Sequence, residues 1–196
     1  MIASRNESLK RRMMLTGLLL GCTGCATLAG QGASLPPLPP PAGALYRLGA
    51  GDGLRIRIYD QAQLSGDYTI DDSGMVDLPL LGLVSATGQT ADGLAVEIAA
   101  ALQAKKLILA PSVAVEVSQY RPFYILGEIA TPGQYPYRPR MTALTAISIG
   151  GGFTDRALQD YVGVTRDSGS GPVQYRAPLF ALAEPGDVIT VFERRF

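Results

Sequence analysis

The residues best placed to do chemistry in this 196-residue chain are two cysteines, one pair of adjacent carboxylates and two glycine-rich turns. There is no histidine at all. That removes the commonest general base, the Ser-His-Asp and Cys-His arrangements, and histidine-based zinc sites. Two cysteines cannot build a four-thiolate metal site. Asp71 and Asp72 sit side by side before Ser73-Gly74. A glycosidase needs two carboxylates facing each other across a cleft, one of them raised in pKa by burial. Adjacent turn residues point to opposite sides and stay solvated. Gly49, Gly51 and Asp52 could suggest phosphate handling, but no Lys-Ser/Thr follows, so this is not a P-loop. No catalytic residue, metal ligand or cofactor is expected.

Both cysteines lie near the N-terminus. Lys10-Arg11-Arg12 precedes an uncharged stretch, Met13 to Gly21, which ends at Cys22. A basic region, a short apolar region and then small residues is the layout of a secretory signal. The apolar stretch is shorter than the roughly 20 residues of a membrane-spanning helix. Leu19-Leu20-Gly21-Cys22 looks like a bacterial lipobox, so residues 1–21 are expected to be a lipoprotein signal peptide and Cys22 the lipidated residue. Cys25 is the alternative. Residues 22–45 are then a lipidated linker, in which Pro36, Pro37, Pro39, Pro40 and Pro41 favour extended polyproline II. A free spacer between anchor and body is expected.

Charge follows from this. The whole chain balances 17 basic against 17 acidic groups, with 17% of residues charged. Residues 1–21 hold Arg5, Lys10, Arg11, Arg12 and Glu7, so their removal leaves 13 basic and 16 acidic groups, a net charge of −3. A mildly acidic body does not bind nucleic acid through its phosphates.

The elements that position these residues are short. Arg55 to Tyr59 alternates, with Ile56 and Ile58 on one face. Tyr68-Thr69-Ile70 and Met75 to Leu78 flank Asp71-Asp72-Ser73-Gly74, which reads as a hairpin. Leu80 to Ala86 is expected to continue the sheet past Pro79. Thr90 caps a helix running to about Lys106, with Ala91, Leu94, Ile98, Ala101 and Leu102 on its apolar face. Val113, Val115 and Val117 form the next strand. A second unit follows, with a strand from Phe123 to Ile129 and a turn through Pro132 and Gly133. Thr142 then caps a short helix that Gly150-Gly151-Gly152 ends, and strands follow at 161–166, 173–176 and 188–192. The class is α+β: a small mixed-sheet domain at 46–119, then a β-grasp-like domain at 120–196. One echo crosses the two: Gly51-Asp52 and Gly186-Asp187 each stand directly before an alternating strand. Such a turn uses Gly for positive φ and Asp to bond nearby backbone N–H groups.

The order of these pieces resembles the Wza-like outer-membrane polysaccharide export family. The opening matches at Tyr46-Arg47-Leu48-Gly49-Ala50-Gly51-Asp52, and further matches fall at Leu78-Pro79-Leu80-Leu81-Gly82, Gly88-Gln89-Thr90 and Pro111-Ser112-Val113. Tyr124-Ile125-Leu126-Gly127-Glu128, Pro132-Gly133-Gln134-Tyr135, Gly151-Gly152 and Pro185-Gly186-Asp187 resemble the family's soluble-ligand-binding β-grasp (SLBB-like) domain. The resemblance covers about residues 46–196.

The resemblance implies a non-enzymatic part in moving capsule or exopolysaccharide across the outer membrane, from a lipid-anchored position on its periplasmic face. It implies a homo-oligomeric ring, a polysaccharide cargo and an inner-membrane polysaccharide co-polymerase that controls chain length. Longer members carry a second ligand-binding domain and a C-terminal amphipathic pore helix. This sequence ends at Phe192-Glu193-Arg194-Arg195-Phe196, straight after a predicted strand, which leaves open whether a separate outer-membrane protein supplies the pore or this chain is only the periplasmic collar. The alternative is a periplasmic sugar-binding or assembly lipoprotein without a channel. Tyr120, Phe123, Tyr124, Tyr135 and Tyr137 form an aromatic cluster beside Arg138 and Arg140. Sugars stack on aromatic faces, so Tyr135, Tyr137 and Arg138 are candidate saccharide contacts. Strand aromatics equally serve as core or subunit contacts.

Overall fold

The computed structural model describes residues 31–40 and 45–194; the signal segment, Cys22, Cys25 and Pro41 lie outside them. The described chain forms two α+β units, each around its own apolar core.

The first unit begins with β1 (Gly53–Ile58), whose alternation buries Leu54, Ile56 and Ile58 and leaves Arg55 and Arg57 outside. β2 (Gly66–Thr69) pairs antiparallel with β1. Next come β3 (Met75–Leu78), β4 (Gly82–Ser85), helix α1 (Ala91–Ala104) and β5 (Val113–Gln119). β5 closes on the other edge of β1, giving the order β2-β1-β5. α1 starts where Thr90 accepts the Gly93 amide at 3.0 Å. Its residues Leu94, Ile98 and Leu102 recur every fourth position and are fully buried on the sheet. Each contributes about 1.5–3 kcal/mol.

The expected hairpin across Asp71–Gly74 is not formed as a strand pair. The turn exists, closed by the Gly74 amide on Asp71 O and the Asp71 amide on Met75 O, both 2.9 Å. Its two arms part: β2 stays on β1, while β3 pairs with β4 in a separate two-stranded sheet. The Gly74 carbonyl is the reason, because it accepts the amides of Ala86 and Thr87 and draws the turn towards the end of β4. Pro79 does not carry the sheet onward either. The chain reverses there, with Leu80 at φ 64° and Gly82 at φ 78°.

The second unit comprises β6 (Phe123–Gly127), β7 (Gly133–Tyr135), α2 (Ala143–Ile149), β8 (Tyr161–Asp167), β9 (Pro172–Pro178) and β10 (Val188–Val191). Its sheet runs β7-β6-β10-β8-β9, with β6 and β10 parallel and the other neighbours antiparallel. α2 is capped by Thr142 and buries Ala143, Ala146 and Ile147. Gly151 and Gly152, at φ 88° and 89°, end it as their amides return to Ser148 and Ile147. Gly127 closes β6 at φ 91°, where a Cβ would meet the Val191 carbonyl at 2.0 Å. No described helix is long and apolar enough to cross a membrane.

The described part of the proline-rich linker is not a free spacer. Pro37 bridges Arg176 in parallel on the edge strand β9. The Leu38 amide donates to Arg176 O at 2.8 Å and the Arg176 amide to Pro36 O at 2.7 Å. Leu38 packs on the second core, and Tyr161 donates its hydroxyl to Gln31 O. An unpaired strand edge invites pairing, and the two prolines that lack N–H groups leave Leu38 as the donor. Leu38→Ser is expected to lower stability by about 1–2 kcal/mol and to open residues 31–40 to protease. Unchanged protection of this segment would contradict the docking.

Candidate functional site at the junction of the two units

The glycine-aspartate echo becomes a pair of matching turns. In Gly49-Ala50-Gly51-Asp52 the Asp52 amide donates to Gly49 O at 3.1 Å, and Asp52 Oδ2 accepts the Gly49 amide at 2.9 Å. In Glu184-Pro185-Gly186-Asp187 the corresponding distances are 3.1 and 2.7 Å. Gly51 and Gly186 supply the positive φ at the third position, 87° and 85°. Each turn delivers its aspartate into the start of a strand, β1 or β10.

Asp52 and Asp187 are 0% and 1% exposed, and they are the buried charged residues among those described. A buried carboxylate left without a partner costs about 3–5 kcal/mol, so each recruits an arginine. Arg166 grips Asp187 in a fork, Nε to Oδ1 at 2.9 Å and Nη2 to Oδ2 at 2.8 Å, and reaches Glu184 through Nη1 at 2.6 Å. Asp52 accepts the Tyr46 hydroxyl at 2.6 Å and the Arg121 backbone amide at 2.9 Å, with Arg121 Nη1 at 3.5 Å.

Arg121 joins the two turns. Its Nη1 touches Tyr46 and Asp52, while its Nε donates to Pro185 O at 3.0 Å. The glycines make room for it: a Cβ on Gly49 would lie 1.9 Å from Nη1, and one on Gly186 would lie 2.9 Å from Nε.

Above this contact lies a cleft of about 820 Å³ shared by both units. Three tyrosines line it, in edge-to-face contact. Tyr46 and Tyr120 are 5.1 Å apart between ring centroids, and Tyr120 and Tyr137 are 5.5 Å apart. Burial and the Asp52 carboxylate hold the Tyr46 phenol protonated far above its ordinary range. Burial likewise raises Tyr137, whose hydroxyl donates to Ala183 O at 3.1 Å. Arg47, Arg140, Asp72 and Asp167 also line the walls. Burial raises Glu184 more than the Arg166 charge lowers it.

The candidate saccharide contacts separate. Tyr137 lines the cleft. Tyr135 pairs with Phe123 across β6 and β7 and lies against its ring, while its hydroxyl bonds Thr131 O. Arg138 does not line the cleft; its carbonyl accepts the Met141 amide, and it is Arg140 that reaches the wall. Asp71 is the acceptor of its turn, held below the usual carboxylate range by the Ser73 hydroxyl and the Met75 amide. Of the residues singled out for structure, Gly49, Gly51, Asp52, Gly186 and Asp187 meet at the junction. Pro79 and Gly82 form the β3–β4 reversal, and Pro132 and Gly133 lead into β7. Local pattern missed Arg121, Arg166, Arg47 and Tyr46 as members of the site. The available signal was the repeated Gly-Asp turn, whose carboxylate requires a cation once buried. Among the described residues no three His, Cys, Asp or Glu side chains cluster as metal ligands.

Comparison with known proteins fits this geometry. Residues 40–118 match the family model described as polysaccharide biosynthesis/export protein, and residues 122–177 match the SLBB domain. The chain is 40% identical over 159 residues to the exopolysaccharide production protein ExoF of Rhizobium meliloti (strain 1021), an alignment that takes in 73% of this chain. It spans 37% of the length of that relative.

Gly49→Ala is expected to displace a guanidinium held at three points and to cost about 1–3 kcal/mol in urea unfolding; a neutral result would contradict the close approach. Glu184 sets a pH trend. Because its pKa is raised in the fold, its contribution is fully present below the ordinary glutamate range and is lost as pH rises through the raised value. Glu184→Gln should flatten that part of the curve of thermal midpoint against pH. An unaltered curve would show that Glu184 does not set it.

Proposed function

The chain belongs to the Wza-like polysaccharide export family, and on that premise we propose that it is a lipid-anchored component of an exopolysaccharide or capsule export channel. In this reading it sits at the periplasmic face of the outer membrane and helps to move polymer across it. The observation that carries the reading is the joining of an export domain to an SLBB domain through Arg121, which holds the buried Asp52 on one side and the Pro185 carbonyl on the other.

The unit is proposed to repeat in a homo-oligomeric ring. A ring needs head-to-tail interfaces that close by rotation. A long hydrated polymer needs a path that binds weakly enough to release it. The inner-membrane partner is proposed to be a polysaccharide co-polymerase. The body holds no histidine, and its buried carboxylates are neutralised by arginine. We therefore read it as a non-enzyme. The lipid anchor is assigned to Cys22, with Cys25 as the alternative.

Deletion of the gene is expected to abolish surface polysaccharide and to leave polymer in the periplasm, with recovery on complementation. Normal surface polymer in the deletion strain would overturn the export reading. Chromatography in mild detergent should give a discrete oligomer. A strict monomer at high concentration, with polymer still bound, would favour a periplasmic sugar-binding or assembly lipoprotein. Cys22→Ser is expected to abolish labelling by radioactive fatty acid; retained labelling would move the anchor to Cys25.

A further inference from the structure

We propose that the cleft at the junction is a binding site for a short saccharide segment, held between the tyrosine rings and the guanidiniums of Arg47 and Arg140. The proposal rests on the export reading for the source of its ligand. It goes beyond that reading in placing a specific site between the two units.

The walls of the cleft select the ligand class. The hydroxyls of Tyr46 and Tyr137 are engaged by Asp52 and by Ala183 O. What these side chains have left to offer is ring surface. Around the rings stand donors that carry no ion pair among the described residues, Arg47 and Arg140, and acceptors, Asp72 and Asp167. A simple anion would meet the carboxylates of Asp72, Asp167 and Glu184. A purely apolar ligand would strip water from charges and return nothing. A pyranose has an apolar C–H face and a rim of hydroxyls that both donate and accept, which matches this mixture. A volume of about 820 Å³ also falls within the roughly 300–1,000 Å³ of ordinary ligand sites.

Arg140 supplies an independent observation. Arg138-Pro139-Arg140-Met141 is a turn closed by the Met141 amide on Arg138 O at 3.3 Å, and Arg140 stands at φ 64°. Across the same cleft, Glu184-Pro185-Gly186-Asp187 places glycine at the corresponding position, φ 85°. A side chain in that conformation is strained, by about 1–2 kcal/mol. Arginine is held there although glycine would serve the backbone, and its guanidinium has no carboxylate partner among the described residues. Asp60, Leu80 and Lys106 share this backbone region; of the four, Arg140 is the one whose side chain stands at the cleft wall. Arg47 is fixed on the facing unit by Nη1 donating to Gly88 O at 2.7 Å.

The test uses the full chain in mild detergent. The probes are oligosaccharides released by partial hydrolysis of the polymer that the parent cells export, with glucose as the monosaccharide arm. The chain contains no tryptophan and nine tyrosines, three of which line the cleft, so the part of the tyrosine fluorescence change that Tyr120→Leu removes reports the site. The oligosaccharides should change that signal saturably, and glucose should bind at least tenfold more weakly. Arg140→Gly should weaken oligosaccharide binding by about tenfold while leaving the thermal midpoint unchanged or higher. Tyr120→Leu should weaken it by a similar factor. Equal binding by glucose would overturn a polymer segment as the ligand. Undiminished binding in both variants, or no binding by the wild type, would overturn the site. If a deletion strain still loses its surface polymer and Arg140→Gly restores it fully, the site fails while the export reading stands.

Discussion

A buried carboxylate must be neutralised where it lies, and this fold places one at the mouth of each unit. Asp52 and Asp187 close equivalent turns with equivalent bonds, and each turn feeds a strand whose apolar residues build a core. Neither turn is complete alone. Asp187 takes its cation from β8, through Arg166. Asp52 takes the backbone and side chain of Arg121, which lies between β5 and β6 and also holds the carbonyl of Pro185 in the other turn. The constraint therefore does more than stabilise two loops. It sets the second unit against the first and leaves between them the cleft that the three tyrosines line.

That dependence explains which parts could be read from sequence. The strands and helices were legible because their signals are local. Leu54, Ile56 and Ile58 alternate; Thr90 precedes Leu94, Ile98 and Leu102; and Gly150 to Gly152 ends a short helix. Partners were less legible. Asp71 to Gly74 has the chemistry of a turn, but turn chemistry does not say which strand each arm will join. That choice was made by the Gly74 carbonyl, which meets Ala86 and Thr87. The Gly-Asp turns were read as structural, whereas their arginines, 69 and 21 residues away from Asp52 and Asp187, leave no trace in local spacing.

The aromatic cluster shows the same limit at a finer scale. Tyr135 and Tyr137 are two residues apart, which on a strand would give them one face. β7 ends at Tyr135, so the period no longer holds at Tyr137. One ring lies on Phe123 in the core, and the other enters the cleft beside Tyr120. The linker deceived differently. Its prolines favour an extended chain, and an extended chain is what an edge strand accepts. Pro36 to Leu38 accordingly lies along β9 instead of hanging free.

The coupling of the two units through Arg121 is tested most directly by scanning calorimetry of the wild type and Arg121→Ala. The account predicts one cooperative transition for the wild type. In the variant it predicts a lowered midpoint and a transition that splits in two, because Asp52 loses its guanidinium and the Pro185 contact is gone. A single transition at an unchanged midpoint in Arg121→Ala would contradict it.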